Sequence, residues 1–366
     1  MSRSLGAIPR VARPVLLGNG LAAIGNGLTM PLLVIYLGQV RGLGTVVAGL
    51  LVAALAVVAL ICAGPVGTLV DRFGPRPVLM VGLCLKSGGL VLLAQATTLN
   101  GAAIAVLVMA LGDSAAWAPQ TALLGRITPG ASRQRVFGVQ FMLLNLGLGI
   151  GGLISAVIAH AERPESFVLL YWIDAGTYLL YVICLAAMRG VATGRDMGED
   201  GGDEARAREA GAHLRGGYRQ VFADRALRRL AIGAVLLLTA GYGSLEVGLA
   251  TYLTVLGSLS VGNLAVVYAV NTGVIVIAQL FVIDRIQGRS RTRLAALVGL
   301  LWGLSWIVIG VSINLPPLVT MVLACLGVAL FAVGETLWSP VAPAIVNDLA
   351  EEHLRGRYNA VASWSW

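Results

Sequence analysis

The sequence predicts an all-α integral membrane protein built from two related six-helix halves, and three observations carry that prediction. Of the 366 residues, 57% are hydrophobic and only 12% are charged, about half the charged share of a soluble domain. The apolar residues gather into ten runs, each long enough to cross a bilayer. Charged and small-residue features of the first half recur in the same order in the second.

After a short basic leader, Met1 to Arg13, the expected spans are Pro14–Leu37, Thr45–Val70, Val78–Ala96, Ala102–Leu124, Phe137–Ala159, Phe167–Met188, Leu230–Leu256, Leu264–Ile283, Leu294–Ile313 and Leu318–Val346. The first run is long enough to remain as a helix rather than act as a cleaved signal. The last exceeds the roughly 20 residues that a bilayer needs, so its end is expected to project into the cytoplasm. With the N-terminus inside, every arginine except Arg41 and Arg163 falls on the cytoplasmic side, the bias that sets topology. Arg189 to Arg229 is rich in arginine, acids and glycine. It is expected to be a flexible linker whose later part, Tyr218 to Arg229, lies as an amphipathic helix on the membrane surface.

The repeat divides the chain into a half at 1–188, the linker at 189–229 and a second half at 230–366. Asp71-Arg72 recurs as Asp284-Arg285, followed by Gly288-Arg289 and Arg291. Gly112-Asp113 with Trp117 and Pro119 recurs as Gly334-Glu335 with Trp338 and Pro340, and Arg133 and Arg135 recur as Arg355 and Arg357. Such order implies halves related by a pseudo-twofold axis along the membrane normal. Phe137, which opens the fifth span, matches about Asn359, so Trp366 falls early in an eleventh helix. The expectation is a twelve-helix protein truncated at its C-terminus; a ten-helix protein with a short tail is the alternative.

The stretch from Gly67 to Pro77 organises the first half. Gly74 permits a sharp reversal between two antiparallel spans, and Pro75 and Pro77 start the next helix. Asp71 sits at a helix end, where its own dipole disfavours it. Its partner could be Arg72, Arg76 or the N-terminus of another helix. Gly67, Leu69, Asp71, Arg72, Gly74 and Arg76 resemble the G-x-L-x-D-R-x-G-R-K/R loop between helices 2 and 3 of the major facilitator superfamily, with Pro75 in place of a basic residue. The resemblance implies two six-helix bundles, with helices 1, 4, 7 and 10 around a central cavity. It also implies that Asp71 faces the start of helix 11 near Arg355 and Arg357, and that Asp284 does the same near helix 5 and Arg133 or Arg135. Gly147, Gly151 and Gly152, with Ser155 and Ala156, partly resemble the G-x-x-x-G-P-x-x-G-G motif of drug:proton antiporters; a generic small-residue helix interface reads equally well.

Five ionisable residues fall inside spans: Lys86, Asp113, Asp174, Glu246 and Glu335. A charge at the bilayer centre costs about 2.5–3.5 kcal/mol on insertion scales, so each needs a partner, water or a proton. Asp113, Glu246 and Glu335 lie on cavity-lining helices of the resembled fold and are the candidate proton carriers. Lys86 falls near the depth of Asp113, and an ion pair between them would keep Asp113 charged. Asp174, on a peripheral helix, reads as structural. Asn19, Asn26, Trp117, Tyr242, Asn271 and Gln279 are candidate cavity residues, each also explicable by interhelical packing. Such a mixed, largely apolar lining suits lipophilic and often cationic compounds.

The resemblance therefore implies a secondary transporter, a proton-coupled exporter of drugs or metabolites, with uptake of a sugar, organic acid or peptide, or an inactive fragment, as alternatives. Expected partners are the substrate, protons and the plasma (inner) membrane bilayer, in a monomer with no nucleic acid. No cofactor or metal is expected. Cys62, Cys84, Cys184 and Cys325 lie in apolar runs without ligand spacing, His160, His213 and His353 lie in or beside loops, and no G-x-x-x-x-G-K-[ST] loop occurs. An enzyme is not expected, for want of a nucleophile–base or metal constellation.

Overall fold

Hydrocarbon supplies no hydrogen-bond partner, so a spanning backbone must close its bonds within a helix. The computed structural model describes residues 8–159, 163–188, 217–249, 252–253, 259, 261–312 and 315–363. Among them ten helices are long and apolar enough to cross a membrane. In order they are α1 (Arg10–Val40), α2 (Thr45–Phe73), α3 (Pro75–Gln95), α4 (Leu99–Ile127), α5 (Gly130–Ile158), α6 (Pro164–Ala186), α7 (Arg225–Leu238, continued by Thr239–Gly248), α8 (Val261–Arg285), α9 (Arg291–Val311) and α10 (Pro317–Leu349). A shorter helix, α11 (Arg355–Ser363), follows. Large apolar side chains such as Leu50, Ile61, Leu153, Leu300 and Leu318 stand exposed on the outer surfaces, as a lipid-facing belt requires.

The local breaks have chemical causes. Gly74 at φ +87° ends α2, and Pro75 opens α3 at the next residue, because glycine alone enters that region freely. In α1, Pro31 lacks an N–H, and Met30–Leu32 tightens into a 3₁₀ turn before a π-helical end at Tyr36–Val40. α4 is interrupted at Ala115 and Ala116. Pro119 cannot bond the Ala115 carbonyl four residues back. Three residues separate Asp113 from Trp117, whereas two separate Glu335 from Trp338. The extra residue of the first half is taken up at this break, and α10 runs through Pro340 and Pro343 unbroken.

Two large apolar cores form, one in each half. One gathers α1 to α6 around Tyr36, Tyr171, Tyr181, Phe137 and Phe167, and draws in Ile283 and Ala344 from the other half. The second gathers α7 to α10 around Trp302, Phe331 and Val298. The halves touch where α2 meets α11, where α5 meets α8 and α10, and where α4 meets α10 and α11. Many of these contacts lie toward the end of the bundle that carries Asp71, Arg133, Arg135, Asp284 and Arg357, called here the basic end.

The linker from 189 to 216 lies outside the described residues. Its remainder departs from expectation. Tyr218 to Arg229 is not one surface helix. A short helix, Tyr218–Ala223, ends at Asp224, whose carboxylate accepts from the Ala226 and Leu227 N–H groups and caps α7. An aspartate at this position satisfies donors that a helix start leaves open. Val221 and Leu227 bury against Val346, Leu354, Tyr358 and Val361, so this segment packs into the protein.

α1 and α5 cross closely through glycine. A Cβ on Gly147 would lie 2.6 Å from the Ala23 Cβ, and one on Gly151 would lie 2.1 Å from the Ile24 carbonyl oxygen. Gly152 does not share the crossing; a Cβ there meets nothing within 4 Å. Overpacking a close crossing costs about 1–3 kcal/mol or more. Gly151→Leu is therefore expected to lower the melting temperature and the monodisperse yield in size-exclusion chromatography, whereas Gly152→Leu leaves both unchanged.

Candidate functional site

The basic end closes on a carboxylate. Asp71, at the last turn of α2 with its side chain 3% exposed, accepts from the Gly356 N–H at 2.6 Å and from the Arg357 N–H at 3.2 Å. The Arg357 guanidinium stands 3.6 Å away. These N–H groups belong to the first turn of α11, where helix donors lack internal partners and the dipole favours an anion. Glycine makes the approach possible. A Cβ on Gly67 would lie 2.7 Å from the Ala360 Cβ, and one on Gly356 2.5 Å from the Gly67 carbonyl oxygen. The Tyr218 hydroxyl donates to the Gly64 carbonyl while its ring lies 5.9 Å from the Arg357 guanidinium. Arg72 instead stacks on Phe73, and Arg76 donates to the Ala186 carbonyl at 3.2 Å.

The repeat-related carboxylate finds a side chain rather than a helix end. Arg135 donates to Asp284 at 2.9 Å and to Gln287 at 3.1 Å, with Asp284 half exposed. Arg285 turns to the Phe281 carbonyl and ring. Arg355 is held among Arg133, Arg126, Glu352 and Asp348; burial first, then the Arg133 guanidinium, push its pKa down. The sequence reading missed Asp348, which joins Arg133 of the first half to Arg291 of the second. A lone aspartate at the end of a long helix gave no signal, because its two arginines come from distant segments.

Higher in the second half, three residues singled out separately come together. Glu335 on α10 is 4% exposed. It accepts from the Tyr242 hydroxyl of α7 and from the Asn271 amide of α8 at 3.0 Å. Tyr242 meets Trp302 and Phe331 edge-on, with ring centroids 5.4 and 5.6 Å away, and those two rings stack at 4.5 Å. Tyr242 stands in the π-helical stretch Thr239–Gly248, an irregularity common at functional sites. Glu246 is in the same stretch, but its side chain lies outside the described residues.

The first half answers with different chemistry. Lys86, 2% exposed, pairs with Asp113 at 2.5 Å, so Asp113 is matched by a buried ammonium rather than by neutral donors. Asn19 accepts from Gln120 at 2.9 Å, and Gln120 accepts from Tyr181 at 2.6 Å. Gln120 and Tyr181 were not anticipated; a polar amide beside Pro119 in an apolar run was the available signal. Asn26 is half-buried on α1 and Trp117 is exposed at the break in α4. Gln279 is fully buried where α8 crosses α5 at Gly138, at the seam between the halves.

Comparison with known proteins follows the same lines. The family model of the Major Facilitator Superfamily matches residues 15–366. The multidrug resistance protein MdtH of Aeromonas hydrophila is 25% identical over 298 residues, 80% of this chain and 68% of its own length. The class C tetracycline resistance protein of Escherichia coli is 32% identical over 159 residues, 41% of this chain and 39% of its own. FucP, an E. coli fucose:proton symporter solved in an outward conformation, superposes with a TM-score of 0.74 at 15% identity, covering 98% of this chain and 88% of its own.

Removing the charge of Asp71 while keeping its shape tests the α2–α11 contact. A carboxylate at a helix N-terminus contributes about 1 kcal/mol, so Asp71→Asn is expected to shift the balance between closed and open basic ends roughly fivefold. The measurement is the rate at which a cysteine replacing Ala360, now fully buried, reacts with a membrane-impermeant maleimide.

Proposed function

Because this chain belongs to the Major Facilitator Superfamily, we propose that it exports lipophilic, often cationic compounds in exchange for protons, by alternating access of its two halves. The transporter class follows from the family; direction, coupling ion and substrate class are the proposal. The observation that supports it most is the Glu335 cluster. A carboxylate in a largely apolar setting attracts a cation by its charge. The same carboxylate is also a group that can carry a proton in the cation's place. One group that takes either a cation or a proton is the simplest exchange device. Tyr242 and Asn271 donate to it from two other helices, so its charge state bears on how α7, α8 and α10 pack.

Glu246, on the same π-helical stretch, is a second candidate carrier. Asp113, paired with Lys86, is a third. The positive-inside bias makes the basic end and the N-terminus cytoplasmic, in the plasma (inner) membrane. Asp71 and Asp284 then act as latches for the outward-open form, with the protein working as a monomer. The names of the relatives, multidrug and tetracycline resistance proteins, favour export. The sugar symporter shares the fold alone. A 100 mV potential supplies about 2.3 kcal/mol per charge moved, enough to bias two forms separated by latches of the size above.

Glu335→Gln is expected to abolish substrate-driven proton flux in proteoliposomes, and Tyr242→Phe to reduce it about tenfold by deleting one charge-assisted bond of about 1.5 kcal/mol. Undiminished flux in Glu335→Gln would remove the carrier assignment.

A further inference from the structure

Asp174, on α6, is completely buried, and nothing in the transport reading above uses it. The Thr29 hydroxyl of α1 donates to its Oδ2 at 2.6 Å. The Thr177 hydroxyl, which donates to the Asp174 backbone carbonyl at 2.7 Å, is the polar neighbour beside its Oδ1; that oxygen has no hydrogen bond of good geometry among the described residues and lies where α1 presents bare backbone. A Cβ on Gly25 would come within 2.3 Å of that oxygen. α3 reaches the same place. Ser87 donates to the Ala175 carbonyl at 2.9 Å, and the Lys86 ammonium lies 6.0 Å from the centre of the Tyr178 ring, one turn from Asp174. Lys86 and Asp113 both act electrostatically on Asp174. The other titratable groups around it are Tyr171 and Tyr178 of α6, with Tyr36 of α1, bound by Arg41, behind Tyr171. None of these tyrosines balances a charge at neutral pH.

The cluster thus holds two carboxylates and one ammonium, with Asp174 and Lys86 sealed from solvent and Asp113 partly exposed. Fully ionised it carries one uncompensated negative charge, which a low-dielectric interior strongly disfavours. One proton makes it neutral. We propose that Asp113, Lys86 and Asp174 form a second proton-binding site, inside the first half and apart from Glu335, in which two carboxylates share one proton and one ammonium. Asp113 is the entrance, since its side chain is 37% exposed whereas Lys86 is 2% exposed. A proton arriving on Asp113 breaks its ion pair and leaves the Lys86 ammonium to balance Asp174. A proton residing on Asp174 returns Lys86 to Asp113. In both arrangements the site is neutral, and only its loss of the proton leaves a net charge. α1 touches the inner end through Gly25 and Thr29 and meets α4 through Asn19 and Gln120, so the load of this site bears on the helices around the cavity. The inference rests on the proton-coupled reading for the proton's use, not for its binding.

The test is an infrared pH titration of the protonated-carboxyl band, with the chain in lipid nanodiscs and no substrate present. Asp174→Asn is expected to remove one titrating carboxyl. Lys86→Met is expected to raise the midpoint of that component by about one pH unit, a tenfold gain in proton affinity, because the stabilising cation is gone. Asp113→Asn, which keeps the shape, lowers it by a similar amount, because Lys86 then belongs to Asp174 alone. An unchanged band in Asp174→Asn overturns the proposal. Should that variant not fold, a midpoint unmoved in both Lys86→Met and Asp113→Asn overturns it instead. The titration involves neither substrate nor flux, so its failure leaves the Glu335 reading standing, and failure of the flux assay leaves this site standing.

Discussion

A bilayer cannot hydrate a charge, and that constraint decides where each ionisable group of this protein sits and what it touches. Lys86 is buried, and it is found on Asp113. Glu335 is buried, and donors from two other helices converge on it. Asp71 ends a spanning helix with its side chain sealed, and it takes two backbone N–H groups from the opposite half. Each match joins different helices, so polar matching, and not apolar contact alone, fixes how the helices are set against one another. Apolar contact between helices has little to gain over contact with lipid, which is why glycine pairs that let backbones meet, such as Gly147 and Gly151 against α1, stand beside these polar matches.

Duplication supplied the same parts twice, and the parts have been put to different uses. Asp113 and Glu335 occupy equivalent positions, yet one faces an ammonium and the other a phenol and an amide. An ammonium favours the charged carboxylate far more than neutral donors do. The two halves therefore hold their acids by different partners. Asp71 and Asp284 diverge likewise. The first is buried on a helix end, and the second lies half exposed on an arginine, where solvent screens the attraction and little stability results. Of the two crossings, α2 with α11 is joined through buried backbone donors and α5 with α8 through an exposed side-chain pair.

Much of the architecture was legible because it rests on periodic or local signals. Ten apolar runs, the reversal at Gly74 and Pro75, and the recurrence of Asp71-Arg72 as Asp284-Arg285 each show within a short window. So did the residues of the Glu335 cluster, since a polar side chain in an apolar run stands out. Their grouping did not show, because Tyr242, Asn271 and Glu335 meet only once three helices pack. Asp348 was invisible for the same reason. Gly152 was grouped with Gly147 and Gly151 because composition marks a residue as small without saying which side of its helix faces a neighbour. The segment after Tyr218 misled differently. Its alternation of apolar and basic residues suits a surface helix, but Asp224 makes a better cap than an interior residue, and the helix divides there.

That division bears on how the two halves can move. Asp224 caps α7 and accepts from the Tyr358 hydroxyl of α11 at 2.8 Å. Burial raises its pKa, but the Tyr358 hydroxyl and the two capping N–H groups outweigh that and hold it below the usual carboxylate range. It stays charged, and the start of α7 stays tied to α11, across the neutral range. Six residues earlier Tyr218 reaches the other way, onto α2 at Gly64 and Gly67. The end of the linker is thus bonded to both sides of the α2–α11 crossing. Parting α2 from α11 requires Asp71 to surrender its N–H donors and Tyr218 to leave one of its neighbours, while Asp224 keeps α11 with α7. The bonds at this crossing thus fall into two sets: Asp71 ties α2 to α11 and Tyr218 ties the linker's end to α2, whereas Asp224 ties α11 to the start of α7.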